Sequence, residues 1–189
     1  MSKTDFYAYV EGDEDRSALE AVMRFHSVKR WHMIDTTRIQ TLAEHSANVA
    51  LLAWYIAHTS PLVYFGTASG AAACGLLHDL PEVFTGDIPS HTKRHLDEEG
   101  HVARLEQRVL PAVFDIIQME SCRQLVKICD IADGIRFIRL HGVDITAQHA
   151  QDGLEDQLER LKAVVEDDWP EAVFEHVFKN VMFYAYEFS

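Results

Sequence analysis

Basic residues are scarce in this chain. Lys and Arg total 17 against 30 Asp and Glu, a formal net charge of −13, which excludes a broad basic surface for long nucleic acid. A small phosphorylated ligand stays open, because a metal and a few local cations outweigh a distant field. Long apolar runs are missing too: no stretch approaches the roughly 20 apolar residues of a membrane span. The opening Met1-Ser2-Lys3-Thr4-Asp5 has no basic segment leading into an apolar one, so no secretory signal is expected. Cysteine is limited to Cys74, Cys122 and Cys129 without Cys-x-x-Cys spacing. These read as small buried residues in a reducing cytoplasm. The sequence also lacks internal repeats, low-complexity tracts, long linkers and any alternating segment long enough for a strand.

What remains is helical periodicity. At 189 residues and 48% apolar, residues 1–189 fit one domain with a substantial core. The pattern predicts a short helix over Ser17 to Val28 and a loop over Trp31 to Gln40. Thr41-Leu42-Ala43-Glu44 has the form of a capping box and predicts a helix to about His58. Further helices are predicted at about Ala68 to Phe84, Glu99 to Met119, Ser121 to His141, Thr146 to Val165 and Pro170 to Glu187. The expected fold is all-α, a compact bundle of about six to seven helices.

Four residues on these helices carry the chemistry. His45 sits one turn after Thr41, and Val49, Leu52 and Ile56 continue its stripe, so it faces the core. His78 and Asp79 are adjacent, about 100° apart around a helix, and can straddle one ion. Asp130 lies in the apolar run Ile128-Cys129-Asp130-Ile131-Ala132, where an unpaired carboxylate is costly and needs a cation. Two imidazoles and two carboxylates suit Mn, Fe, Co, Ni or Zn better than Ca or Mg. The set points to a metal-dependent hydrolase.

Single residues weigh less. A lone histidine is more often hydrogen-bonded or solvated than a ligand, so His26, His32, His58, His91, His95, His101, His141, His149 and His176 are left out of the site. Asp133, one turn after Asp130, reads as hydrogen-bonded or solvated before it reads as a ligand. Val173, Phe174, Val177, Phe178, Val181 and Tyr184 form a C-terminal stripe, more apolar surface than a terminal helix usually hides in its own subunit.

The order His…His-Asp…Asp resembles the HD-domain phosphohydrolase superfamily. Lys29-Arg30-Trp31, Ala43-Glu44-His45-Ser46 and the string from His78 to Asp87, His-Asp-Leu-Pro-Glu-Val-Phe-Thr-Gly-Asp, resemble the YfbR-like 5′-deoxynucleotidases. A close branch comprises compact phage dATP triphosphohydrolases of the DatZ kind. The 51 positions from Asp79 to Asp130 look more like that branch. The resemblance implies an HD-type domain in the cytoplasm (a host cytoplasm for a phage protein) and a homodimer or higher homo-oligomer.

The same resemblance implies roles. His45, His78, Asp79 and Asp130 would hold a divalent transition metal, a Lewis acid toward a phosphoryl oxygen. Glu82 would act as general base. Asp87 would support the attacking water or the phosphate, with room for a second divalent ion beside it. Arg30, Lys93 and Lys127 are the cations expected on phosphate oxygens. Trp31 would exclude a 2′-hydroxyl, with Met33 and Ile34 near the base. Pro81 lacks an N–H and its ring crowds the Leu77 carbonyl, so a kink or helix end is expected there. The substrate is a small deoxynucleotide rather than a polymer. The leading activity is release of the deoxynucleoside from a 5′-monophosphate. The alternatives are a triphosphohydrolase acting on dATP, and an inactive nucleotide-binding scaffold.

Overall fold

Helix-starting residues mark the described chain clearly. In the computed structural model, which describes residues 23–88 and 120–187, Thr41 Oγ1 accepts the Glu44 N–H at 3.2 Å and opens α1, Leu42–Thr59. Thr67 accepts the Gly70 N–H and opens α2, Ala68–Leu77. A single turn, α3, follows at Glu82–Thr85. The long α4, Glu120–His141, leads to α5, Ile145–Glu166, whose cap Asp144 accepts from the Thr146 and Ala147 N–H groups. Pro170 precedes α6, Glu171–Met182, which runs on into a π-helical turn at Phe183–Glu187.

The protein is all-α. Among the described residues there is no strand, only isolated antiparallel bridges pairing Lys29 with Thr41 and Thr36 with Gly142. Five helices of ten residues or more are described; the helix expected over Glu99 to Met119 lies outside the described residues. Of the expected first helix only the end is described, as helical Met23 and Arg24 and a 3-10 turn at Phe25–Ser27. No helix among the described residues is long and apolar enough to cross a membrane.

Two expectations are corrected. The capping box forms by half: Thr41 caps, but the Glu44 carboxylate takes the Arg38 guanidinium at 2.6 and 2.9 Å. That pair is exposed and contributes at most about 1 kcal/mol, no more than the cap itself. The helix expected from Ala68 to Phe84 is divided. Pro81 cannot donate to the Leu77 carbonyl, which instead accepts the Leu80 N–H at 3.1 Å, and the chain tightens through i to i+3 bonds until α3.

α4 is the hub of the core. Its Leu125, Ile128, Cys129, Ala132 and Ile135 are fully buried, and it packs against α1, α2, α5 and the π turn. Val173, Val177 and Val181 of α6 are equally buried in this same core, with Phe174 and Tyr184 packed against it. Much of the C-terminal stripe is therefore buried in the chain's own core.

α1 lies close against α2 at Gly75. A Cβ placed on Gly75 would stand 2.8 Å from Ala50 Cα and 3.0 Å from Ala50 N. Backbone cannot rotate away as a side chain can, so the two helices must separate to admit it. Gly75→Ala should lower the unfolding free energy by about 1–3 kcal/mol. The measurement is the urea midpoint; a midpoint at the wild-type value would show that the contact does not set the helix spacing.

Candidate metal centre and its pocket

The first turn of α1 and the last turn of α2 deliver the two imidazoles, and their tautomers are fixed by chemistry. His45, with no exposed surface, places Nδ1 2.7 Å from Asp133 Oδ2. His78, at the C-cap of α2, places Nδ1 2.8 Å from the Gly75 carbonyl. Both partners only accept, so both Nδ1 atoms donate, and a neutral ring keeps its lone pair on Nε2.

Those lone pairs face carboxylates. His45 Nε2 is 3.1 Å from Asp130 Oδ1 and 3.5 Å from Asp79 Oδ2; His78 Nε2 is 3.2 Å from Asp79 Oδ2. All four ligand atoms lie within 4.8 Å of one another. Acceptors confronting acceptors in a buried space repel, and both Nε2 atoms lack a hydrogen-bond donor. A cation at their centre removes the conflict, so this donor set fits a divalent metal. Without an ion, protonated imidazoles would take the place of that cation. Burial pushes the Asp79 carboxyl up, but His78 and His45 outweigh it and hold it well below the usual carboxylate range. Burial likewise raises Asp130, and Lys127 and His45 override it.

Behind the imidazoles lies a hub on Asp133, which the sequence expects to be hydrogen-bonded or solvated and which is hydrogen-bonded. Asp133, 1% exposed, accepts from Gln40 Nε2 at 2.8 Å, Asn48 Nδ2 at 2.9 Å and Tyr184 OH at 2.7 Å, besides His45. Its spacing from Asp130, one turn on a buried face, was the only sequence signal. Gln40, Asn48 and Tyr184 carried none.

In front opens a cavity of about 510 Å³. Arg30, Trp31, Met33, Glu82, Asp87 and Lys127 reach it beside Asp79 and Asp130; Lys93 lies outside the described residues. Arg30 Nη2 stands 3.7 Å from Asp130 Oδ1, while its buried Nε and Nη1 have no hydrogen-bond partner among the described residues. Lys127 Nζ contacts Asp130 Oδ2 at 2.7 Å. Two of the three cations expected on phosphate, Arg30 and Lys127, thus also balance Asp130. Met33 is 67% exposed at the rim, and Ile34 packs with Phe137. The opposite wall is α5, with His149, Gly153 and Gln157.

Trp31 has φ +62. That left-handed geometry is rare for a bulky side chain and costs about 1–3 kcal/mol. Several contacts hold it: its N–H donates to Asp87 Oδ2 at 3.1 Å, Nε1 donates to Gln40 Oε1 at 2.8 Å, and the indole stacks on Phe137 at 6.3 Å. Asp87, expected to serve water or phosphate, is engaged here with the Trp31 backbone and stands 3.8 Å from His32 Nδ1.

Comparison with known proteins follows the same residues. The family model "5′-deoxynucleotidase YfbR-like" matches residues 18–119, which include His45, His78, Asp79, Glu82 and Asp87 and end before Asp130. The chain is 32% identical to a dATP triphosphohydrolase of Cyanophage S-2L, across 73% of this chain and 79% of that protein. It is 32% identical to another of Salmonella phage PMBT28, across 72% and 73%. A 5′-deoxynucleotidase of Photorhabdus laumondii is 31% identical over 46% of this chain and 43% of its own length. A solved structure, the Cyanophage S-2L HD phosphohydrolase (DatZ) bound to dA and one catalytic Zn²⁺ ion, superposes with a TM-score of 0.76 at 25% identity, covering 89% of this chain and 96% of that one.

The hub generates a stability test. Asp133→Ala strands the buried Gln40 and His45 donors and the part-buried Asn48 and Tyr184 donors, and should cost about 3–5 kcal/mol. Lys127→Ala at a half-exposed pair should cost under about 1 kcal/mol. Chemical denaturation of both variants measures the contrast, and equal losses would remove Asp133 from its place as the hub.

Proposed function

We propose, from the premise that this chain belongs to the YfbR-like 5′-deoxynucleotidase family, that it hydrolyses the 5′ phosphate ester of 2′-deoxynucleotides and releases the deoxynucleoside. The protein is an HD-type nucleotide phosphohydrolase. One observation carries the reading: two tautomer-fixed imidazoles and two carboxylates converge within 4.8 Å at the end of a cavity that also holds Arg30 and Glu82.

His45, His78, Asp79 and Asp130 would hold one divalent metal, and zinc is the favoured identity because the DatZ structure carries Zn²⁺. When bound, it supplies Lewis acidity toward a phosphoryl oxygen. Glu82, buried at the cavity wall, takes the proton of the water that attacks phosphorus. The P–O5′ bond breaks and O5′ leaves with a proton from solvent. Arg30 binds phosphate through its two unpartnered nitrogens, and Lys127 screens the charge at the rim. Trp31 packs on the sugar where a 2′-hydroxyl would stand. Asp87 acts through Trp31, whose N–H it holds.

The leading substrates are deoxynucleoside monophosphates. A second reading, dATP hydrolysed to deoxyadenosine and triphosphate, is favoured by the phage relatives, which match across far more of the chain than the deoxynucleotidases do. The water attack and the broken bond are the same in both, so product analysis on dNMP, dNTP and NTP panels separates them. Inorganic phosphate marks the first and tripolyphosphate the second.

A chelator should abolish turnover, and His78→Ala should lose both metal and activity. Full metal content in that variant, by elemental analysis, would refute the ligand assignment. Glu82→Ala should keep its metal while turnover falls by about 10²–10⁴-fold; near-normal turnover would remove Glu82 from the chemistry.

Trp31→Ala should admit ribonucleotides and weaken deoxynucleotide binding, read by comparing dAMP with AMP and dATP with ATP. Equal wild-type rates on both sugars would end the Trp31 assignment and leave the hydrolase reading intact.

A further inference from the structure

Gln40 is 1% exposed and sits between the metal-ligand scaffold and the substrate loop. Its Nε2 donates to Asp133 Oδ2 at 2.8 Å, the same oxygen that receives the His45 Nδ1 proton at 2.7 Å. Its Oε1 accepts the Trp31 indole N–H at 2.8 Å. The amide has one workable orientation: a carboxylate only accepts and an indole only donates, so a flipped amide would be wrong at both ends. Its backbone carbonyl also receives the Arg30 N–H at 2.9 Å. A filler side chain in a core would not need this set of partners.

We propose that Gln40 is a positioning residue that ties the Trp31 indole to the His45 imidazole through Asp133, so that the sugar wall and the metal centre move as one unit. The proposal rests on the functional reading above for what Trp31 touches, but the linkage itself is independent of it. Gln40 keeps the Trp31 ring, carried on a strained backbone, in register with the reacting phosphate. Loss of the bridge lets the indole swing on Phe137 without disturbing the four ligand atoms.

The test is a double-mutant cycle. Gln40→Met keeps length and removes both hydrogen bonds; Trp31→Phe keeps a ring and removes the indole N–H. Each single variant should raise KM for the deoxynucleotide about tenfold, the effect of losing the Trp31–Gln40 hydrogen bond that both remove, with kcat changed less than KM. The double variant should be no worse than either single one. Effects that multiply would overturn the linkage. A second arm needs no activity: in chains carrying ¹⁵N-labelled tryptophan, zinc addition should shift the Trp31 indole resonance in wild type and leave it unmoved in Gln40→Met. An indole that ignores zinc in wild type refutes the proposal. Absence of deoxynucleotide hydrolysis in wild type instead refutes the functional reading, and the resonance still decides the linkage. Should Gln40→Met not fold, Trp31→Phe carries the kinetic arm, and an unchanged KM there counts against it.

Discussion

Everything in the site follows from two committed protons. Each Nδ1–H is spent on an acceptor behind the ring, Asp133 for His45 and the Gly75 carbonyl for His78. The forward nitrogens are left as bases pointing at acids. Had either ring taken the other tautomer, its proton would have closed an ordinary hydrogen bond with Asp79 or Asp130, and that nitrogen would no longer be open to an ion. The back-side acceptors therefore make this a cation site rather than a cluster of buried salt bridges.

That arrangement ranks the surrounding groups by what they oppose. Asp79 and Asp130 remain ionised in a buried place because positive charge stands close by. Arg30 and Lys127 belong to the same balance, one buried and the other half exposed. An anionic substrate entering the cavity would draw on those cations, so phosphate and carboxylate compete for them.

Local features of the fold were legible in the sequence. Thr41 and the stripe from His45 to Ile56 fixed α1 and its buried face, because a cap and a 3.6-residue period are properties of a few neighbouring residues. Pro81 announced a break, since its missing N–H acts on its own turn. The four candidate ligands were readable together because each sits on or at the end of a helix whose face the pattern defined. The bridge from Gln40 to Asp133 was not, as it joins positions 93 residues apart with no periodic signal at either. Nothing in the sequence marked Trp31 for φ +62, because only its distant partners hold it there. The C-terminal stripe showed correctly that α6 has an apolar face, but periodicity cannot say which surface buries it.

Tyr184 places a constraint on biogenesis. Its hydroxyl shares Asp133 Oδ1 with Asn48, and it enters from the π turn that follows α6. A nascent chain on the ribosome carries all four ligand side chains as soon as Asp130 has emerged, yet the carboxylate that orients His45 lacks one donor until residue 184 follows. The partly made chain would therefore hold His45 against a carboxylate with one acceptor site open. Docking of the C-terminal turn completes that support late in synthesis.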